Sequence, residues 1–94
     1  MSSKLEKQHF DRLASFGCIL CNFLDLGETP AEIHHIRHAG LRKNAPVIAL
    51  CPEHHRGNTG VHGMGRKAFA RHYGVSEEDL LRKTQQSLGL YEPL

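Results

Sequence analysis

Two short motifs constrain this chain more than anything else in it. Cys18-x-x-Cys21 and Cys51-x-x-His54 contain all three cysteines of a 94-residue sequence. An odd cysteine count rules out a fully paired disulfide framework. Two residues between two soft ligands form a tight turn that aims both at one ion. Together the motifs offer three thiolates and one imidazole, a closed tetrahedral set suited to structural Zn2+. Residues 22–50 separate the two halves, a longer insert than in a simple zinc finger, so the halves are expected to clamp a hairpin between them. A chain this short builds a thin core, and a metal staple would supply much of its folding free energy. Buried free cysteines are the alternative. It leaves unexplained why every cysteine falls inside one of the two patterns.

Hydrophobic residues make up 39% of the chain, an ordinary share for a globular protein. No apolar run approaches the ~20 residues of a membrane span, and Met1-Ser2-Ser3-Lys4 opens no signal-peptide pattern. The expected location is therefore cytoplasmic, in the host cytoplasm if the chain is phage-encoded. Net charge is only +2, too weak alone to imply a polyanionic partner. Its distribution says more. Between Ile36 and Arg82 the basic residues Arg37, Arg42, Lys43, Arg56, Arg66, Lys67, Arg71 and Arg82 face only Glu53, Glu77, Glu78 and Asp79. Such a stretch suits nucleic acid, or is simply a solvated surface.

The expected elements place these motifs. Ser3 and Glu6 fit a capping box, and Leu5, Phe10, Leu13 and Phe16 share one helical face, so a helix is expected over 4–16 with Gly17 as its stop. Ala31–Ile36 and Val47–Leu50 read as short strands joined by a loop. Arg56–Gly65 holds four glycines and reads as irregular loop. Arg66–Tyr73 reads as a helix stopped by Gly74. Ser76-Glu77-Glu78-Asp79 opens a last helix over 77–88. The expected fold class is α+β, one domain over 1–94, with a hairpin-and-helix core over 18–74.

Eight histidines are many for this length. His34 and His35 are adjacent on an expected strand, so their side chains point to opposite faces. One imidazole can bind an ion while the other serves elsewhere. Hydrolysis at a phosphate needs a Lewis acid and a general base, and a near-neutral pKa suits histidine to the second role. His55 follows the second knuckle directly, where bound zinc would hold its backbone rigidly. His62 lies beyond Gly57 and Gly60, in a loop able to fold back. His34, His55 and His62 are therefore candidates for an open divalent-ion site, and His9, His38 and His72 for surface or packing.

Cys18-x-x-Cys21, Glu32-Ile33-His34-His35-Ile36 and Val47-Ile48-Ala49-Leu50-Cys51-Pro52-Glu53-His54-His55-Arg56-Gly57 together resemble a zinc-knuckle HNH endonuclease. Gly60-Val61-His62-Gly63, followed by Phe69 and Tyr73-Gly74, is similar to the phage recombination-enhancement (Ref-like) nucleases. The resemblance covers about Cys18 to Gly74. It implies a ββα-metal (His-Me finger) fold with a zinc-knuckle clamp and flanking helices. It also implies His34 and His55 as ligands of the cleaving ion and His35 as general base. The middle asparagine is assigned to Asn44, which would orient His35, with Asn58 as the competitor. Many members carry a second cysteine pair here; His54 replaces its last cysteine and keeps a four-ligand set.

The expected activity is metal-dependent hydrolysis of DNA phosphodiesters. Mg2+ or Mn2+ is the expected cleaving ion, and an imidazole-rich site also suits Zn2+ or Ni2+. Arg37, Arg42, Lys43, Arg56 and Arg66 are candidates for phosphate contacts. Two other readings stand beside this one. A zinc-stabilised DNA-binding or adaptor module without catalysis explains the knuckles and the basic stretch but not His35 and His55. An HNH protein active only with a recombination or packaging partner would suit a domain with little surface to select a target.

Overall fold

The computed structural model describes residues 4–36 and 45–88. Six helices and two strands follow one another as α1 (Lys4–Phe16), α2 (Ile19–Phe23), β1 (Glu32–His35), β2 (Val47–Leu50), α3 (Pro52–Arg56), α4 (Val61–Met64), α5 (Arg66–Tyr73) and α6 (Glu77–Leu88). The architecture is α+β. The expected Ser3–Glu6 cap, His38, Arg37, Arg42, Lys43 and Asn44 lie outside the described residues or side chains.

β1 and β2 pair antiparallel, with Glu32 opposite Leu50, Ile33 opposite Ala49, His34 opposite Ile48 and His35 opposite Val47. Two strands of four residues are marginal on their own, so this hairpin depends on what covers it. Every residue of β2 is buried, because the strand is covered on both faces. Val47 and Ala49 pack with Leu13 of α1, joined by Phe10, Ile33 and Leu88. Ile48 and Leu50 enter the larger core with Ile19, Leu20, Ile36, Val61, Phe69 and Leu80. Phe69, Leu20, Ile48, Leu50 and Leu80 are wholly inaccessible. Each such side chain contributes about 1.5–3 kcal/mol of burial, enough to seat short elements that have little intrinsic stability.

Two expectations about local structure change. The segment after Cys18 is a helix rather than a bare turn: Cys18 is the N-cap of α2, and its sulfur accepts the Cys21 amide at 3.4 Å. The stretch Arg56–Gly65, expected as irregular loop, contains the end of α3 and the one-turn helix α4. Its glycines permit this by close approach. A Cβ at Gly60 would lie 2.4 Å from the Glu53 carbonyl oxygen, and one at Gly63 would lie 2.1 Å from that of Gly57. Glycine therefore lets α4 fold back onto α3. Tyr73 of α5 closes the arrangement by donating its hydroxyl to the Thr59 carbonyl at 2.7 Å. α6 starts on a reciprocal cap, with Ser76 N–H donating to Asp79 Oδ2 at 2.9 Å and Asp79 N–H to Ser76 Oγ at 3.1 Å. Among the described residues no helix is long and apolar enough to cross a membrane.

Candidate metal centres and active site

His54 and His55 are successive residues of α3 and serve two different places. A helix turns by ~100° per residue, so neighbouring side chains diverge. His54 is buried against the cysteines, whereas His55 is half-buried and reaches a cleft on the other side.

The ligand atoms of Cys18, Cys21, Cys51 and His54 all lie within 4.8 Å of one another, and all four residues are buried. Cys21 Sγ and Cys51 Sγ are 3.8 Å apart. His54 Nδ1 lies 3.3 Å from Cys51 Sγ, 3.5 Å from Cys21 Sγ and 3.8 Å from Cys18 Sγ. Zinc–sulfur and zinc–nitrogen bonds of ordinary length put tetrahedral edges at ~3.8 Å between sulfurs and ~3.6 Å between sulfur and nitrogen. The cluster matches both, so it could hold a metal ion such as zinc. Its electrostatics agree. Burial pushes the Cys18 thiol up to about 12, against amide donors from Cys51 and Cys21 that pull it down. A thiolate at the buried Cys18 therefore needs a cation beside it. Burial also lowers the His54 pKa, which keeps the imidazole neutral as a ligand must be. The Tyr73 ring stands edge-on to His54, with centroids 5.5 Å apart.

The second cluster lies in an open cleft of about 520 Å³ lined by Ile33, His34, His35, His55, Val61, His62, Gly65, Arg66 and Glu77. His34, His55 and His62 each offer a ligand atom there, all within 4.8 Å. Their ring centroids are 5.1 Å apart for His34–His55, 5.1 Å for His34–His62 and 4.8 Å for His55–His62. His34 is buried, His55 half-buried and His62 exposed, so the cluster runs from the protein interior to water. Burial first, then the neighbouring His34 and His55, lower the pKa of His62. Three imidazoles packed this closely repel when protonated and coordinate when neutral. The residues present fit a divalent ion with coordination positions left open.

Two carboxylates back the histidines. Glu32 Oε1 lies 2.8 Å from His55 Nδ1. The Arg56 guanidinium holds the same carboxylate through Nε, at 3.0 Å from Oε1, and Nη2, at 2.8 Å from Oε2. Arg56 first and His55 second hold the Glu32 carboxyl down at about 2. Glu77, at the start of α6, is buried and hydrogen-bonds His34 through Oε2 and Nε2. Sequence pattern alone gives neither glutamate a role. Glu32 sits inside the quoted motif, and its strand position two residues before His34 was the available signal. Glu77 read as one more acid at a helix start, and nothing local marks it out.

His35 borders the same cleft and rests edge-on against Phe10, centroids 6.1 Å apart. The cleft thus reaches round β1, touching side chains from both of its faces. Of the expected phosphate-contacting residues, Arg66 lines the cleft, while Arg56 is joined to Glu32. His9 and His72 stay outside the cleft; the His9 ring lies tilted against Phe10 and the His72 ring edge-on to Tyr73.

No curated protein and no solved structure matches this chain. A family model described as recombination enhancement, RecA-dependent nuclease matches residues 3–89, which include the Cys18–Cys21–Cys51–His54 cluster, the His34–His55–His62 cluster and α6. The chain belongs to the recombination-enhancement, RecA-dependent nuclease family.

Proposed function

We propose that this protein is an HNH-type endonuclease that hydrolyses DNA phosphodiester bonds at the His34–His55–His62 cleft. One observation carries the reading. Three imidazoles from three different elements converge in an open cleft that a fourth imidazole, His35, also borders. A structural role would not need a half-open set, and the closed Cys18–Cys21–Cys51–His54 cluster already serves as a staple. The hairpin followed by α3 supports a ββα-metal core, with the zinc cluster clamping its two ends.

A divalent ion held at the three histidines would supply the positive charge that stabilises negative charge developing on the phosphate. His35 removes the proton from the attacking water, a task for a side chain with near-neutral pKa. Arg66, on the wall of the cleft, meets a phosphate oxygen and positions the strand without reading its sequence. Glu32 accepts a hydrogen bond at His55 Nδ1 and so leaves Nε2 as the nitrogen able to coordinate. Asn44 as the residue orienting His35, and Arg37, Arg42 and Lys43 as further phosphate contacts, complete the proposal. The family's description supports a place in recombination, with a recombinase on DNA as partner.

The test uses supercoiled plasmid and single-stranded DNA with Mg2+, Mn2+ or EDTA, comparing wild type with His35→Ala. Cleavage that EDTA and His35→Ala both abolish is expected. A zinc-loaded, folded wild type that cuts neither substrate, alone or with a recombinase filament, would leave a DNA-binding module as the reading.

A further inference from the structure

We infer that Glu77 is the positioning residue of the cleft, fixing His34 with its proton on Nε2 and its Nδ1 lone pair available to an ion. The inference rests on the metal-site reading above and extends it to a helix outside the hairpin core.

A carboxylate in the first turn of a helix is already well placed facing water, where the helix dipole favours it. Glu77 is instead buried, at 5% exposure, and turned toward His34, itself at 5%. The cap of α6 does not require it, because Ser76 and Asp79 satisfy each other's amides. Leu80, wholly buried one turn later, anchors α6 in the core, so the carboxylate is delivered from a rigid element. An imidazole has one N–H and one lone pair when neutral. A carboxylate at Nε2 selects the Nε2–H tautomer and leaves Nδ1 as the coordinating atom. Glu32 performs the mirror-image operation on His55, engaging Nδ1 and leaving Nε2. The two glutamates therefore set opposite tautomers on two adjacent ligands, which lets both rings turn one lone pair each to a shared ion.

Long-range 1H–15N NMR of the zinc-loaded protein, without added Mn2+, reads the His34 tautomer, with His34→Gln to assign its signals. Mn2+ titration followed by EPR then compares wild type, Glu77→Gln and Glu77→Leu, each checked for zinc content. The wild type should carry the His34 proton on Nε2. Glu77→Leu should scramble the tautomer and weaken Mn2+ binding ~10–100-fold with zinc retained, and Glu77→Gln, which still accepts a hydrogen bond, should recover most of that loss. A proton on Nδ1 in the wild type would overturn the inference whether or not the variants fold. Undiminished Mn2+ binding by a folded Glu77→Leu would overturn it too, as would Glu77→Gln binding as weakly as Glu77→Leu, which would make Glu77 a ligand itself. Failure of the wild type to bind Mn2+ would sink the metal-site reading instead, and the tautomer would still decide the role of Glu77.

Discussion

The two clusters on either side of α3 both bring candidate metal ligands together, but they differ in side-chain type and in exposure. Cys18, Cys21, Cys51 and His54 are all buried, at tetrahedral spacing, and close on themselves. His34, His55 and His62 grade from buried to exposed and border an open cleft. The difference follows from chemistry. A Cys18 thiolate that burial would otherwise protonate needs a cation beside it, and once four ligands surround an ion nothing else can approach. Three imidazole ligands leave coordination positions open for water and phosphate. One five-residue helix separates a candidate staple from a candidate reaction site by placing His54 and His55 on neighbouring positions.

The largest expected effect separates the two clusters by stability. Cys21→Ser should lose zinc and the cooperative fold together, since structural zinc binding contributes on the order of 10 kcal/mol, as much as a small domain's whole stability. His62→Ala should keep zinc and shift the thermal midpoint by no more than about 4 °C. Metal analysis and thermal melts check both. Comparable destabilisation by the two changes would erase the distinction.

Within the cleft, the proposed roles differ by residue. His35→Ala should lower DNA cleavage ~10²–10⁴-fold while leaving Mn2+ affinity unchanged. Equal loss of Mn2+ binding would make His35 a ligand rather than a base.

A smaller effect concerns acid. Glu32 is held at about 2 in the fold against 4.5 ordinarily, chiefly by Arg56 and then His55. A depressed carboxyl stabilises the fold above its unfolded value and loses that contribution as pH falls from 4.5 towards 2. The wild type should therefore lose more thermal stability than Glu32→Gln over that window. The group is partly exposed, so the difference should shrink in high salt. Parallel melting curves for the two proteins would contradict this.

The smallest expected effect is beside the cysteine cluster, where Tyr73 stands against His54. Tyr73→Phe removes the hydroxyl bond to Thr59 and should cost about 1 kcal/mol, read by denaturant unfolding, without changing zinc content.

The sequence was most legible where one residue type answers one physical demand. Cysteine spacing marked the closed cluster, because soft ligands in tight turns have few other uses. The β-branched start of Val47–Leu50 and the Gly74 stop of α5 marked their elements, since both act within a few residues. His62 stayed ambiguous for a reason of the same kind. Its approach to His34 depends on Gly60 and Gly63 packing against carbonyls of Glu53 and Gly57, a fold-back that reads from sequence as loop. Glu77 was invisible because its partner is 43 residues away, and a glutamate at a helix start already has a sufficient local explanation.

The most direct test of the two-centre account measures zinc per chain, folding and Mn2+-dependent plasmid cleavage in Cys51→Ser and His55→Ala side by side. The account predicts that Cys51→Ser loses zinc, fold and cleavage together. It predicts that His55→Ala keeps its zinc and its fold and loses cleavage alone. A His55→Ala protein that cleaves like the wild type, or that sheds the structural zinc and unfolds, would contradict it.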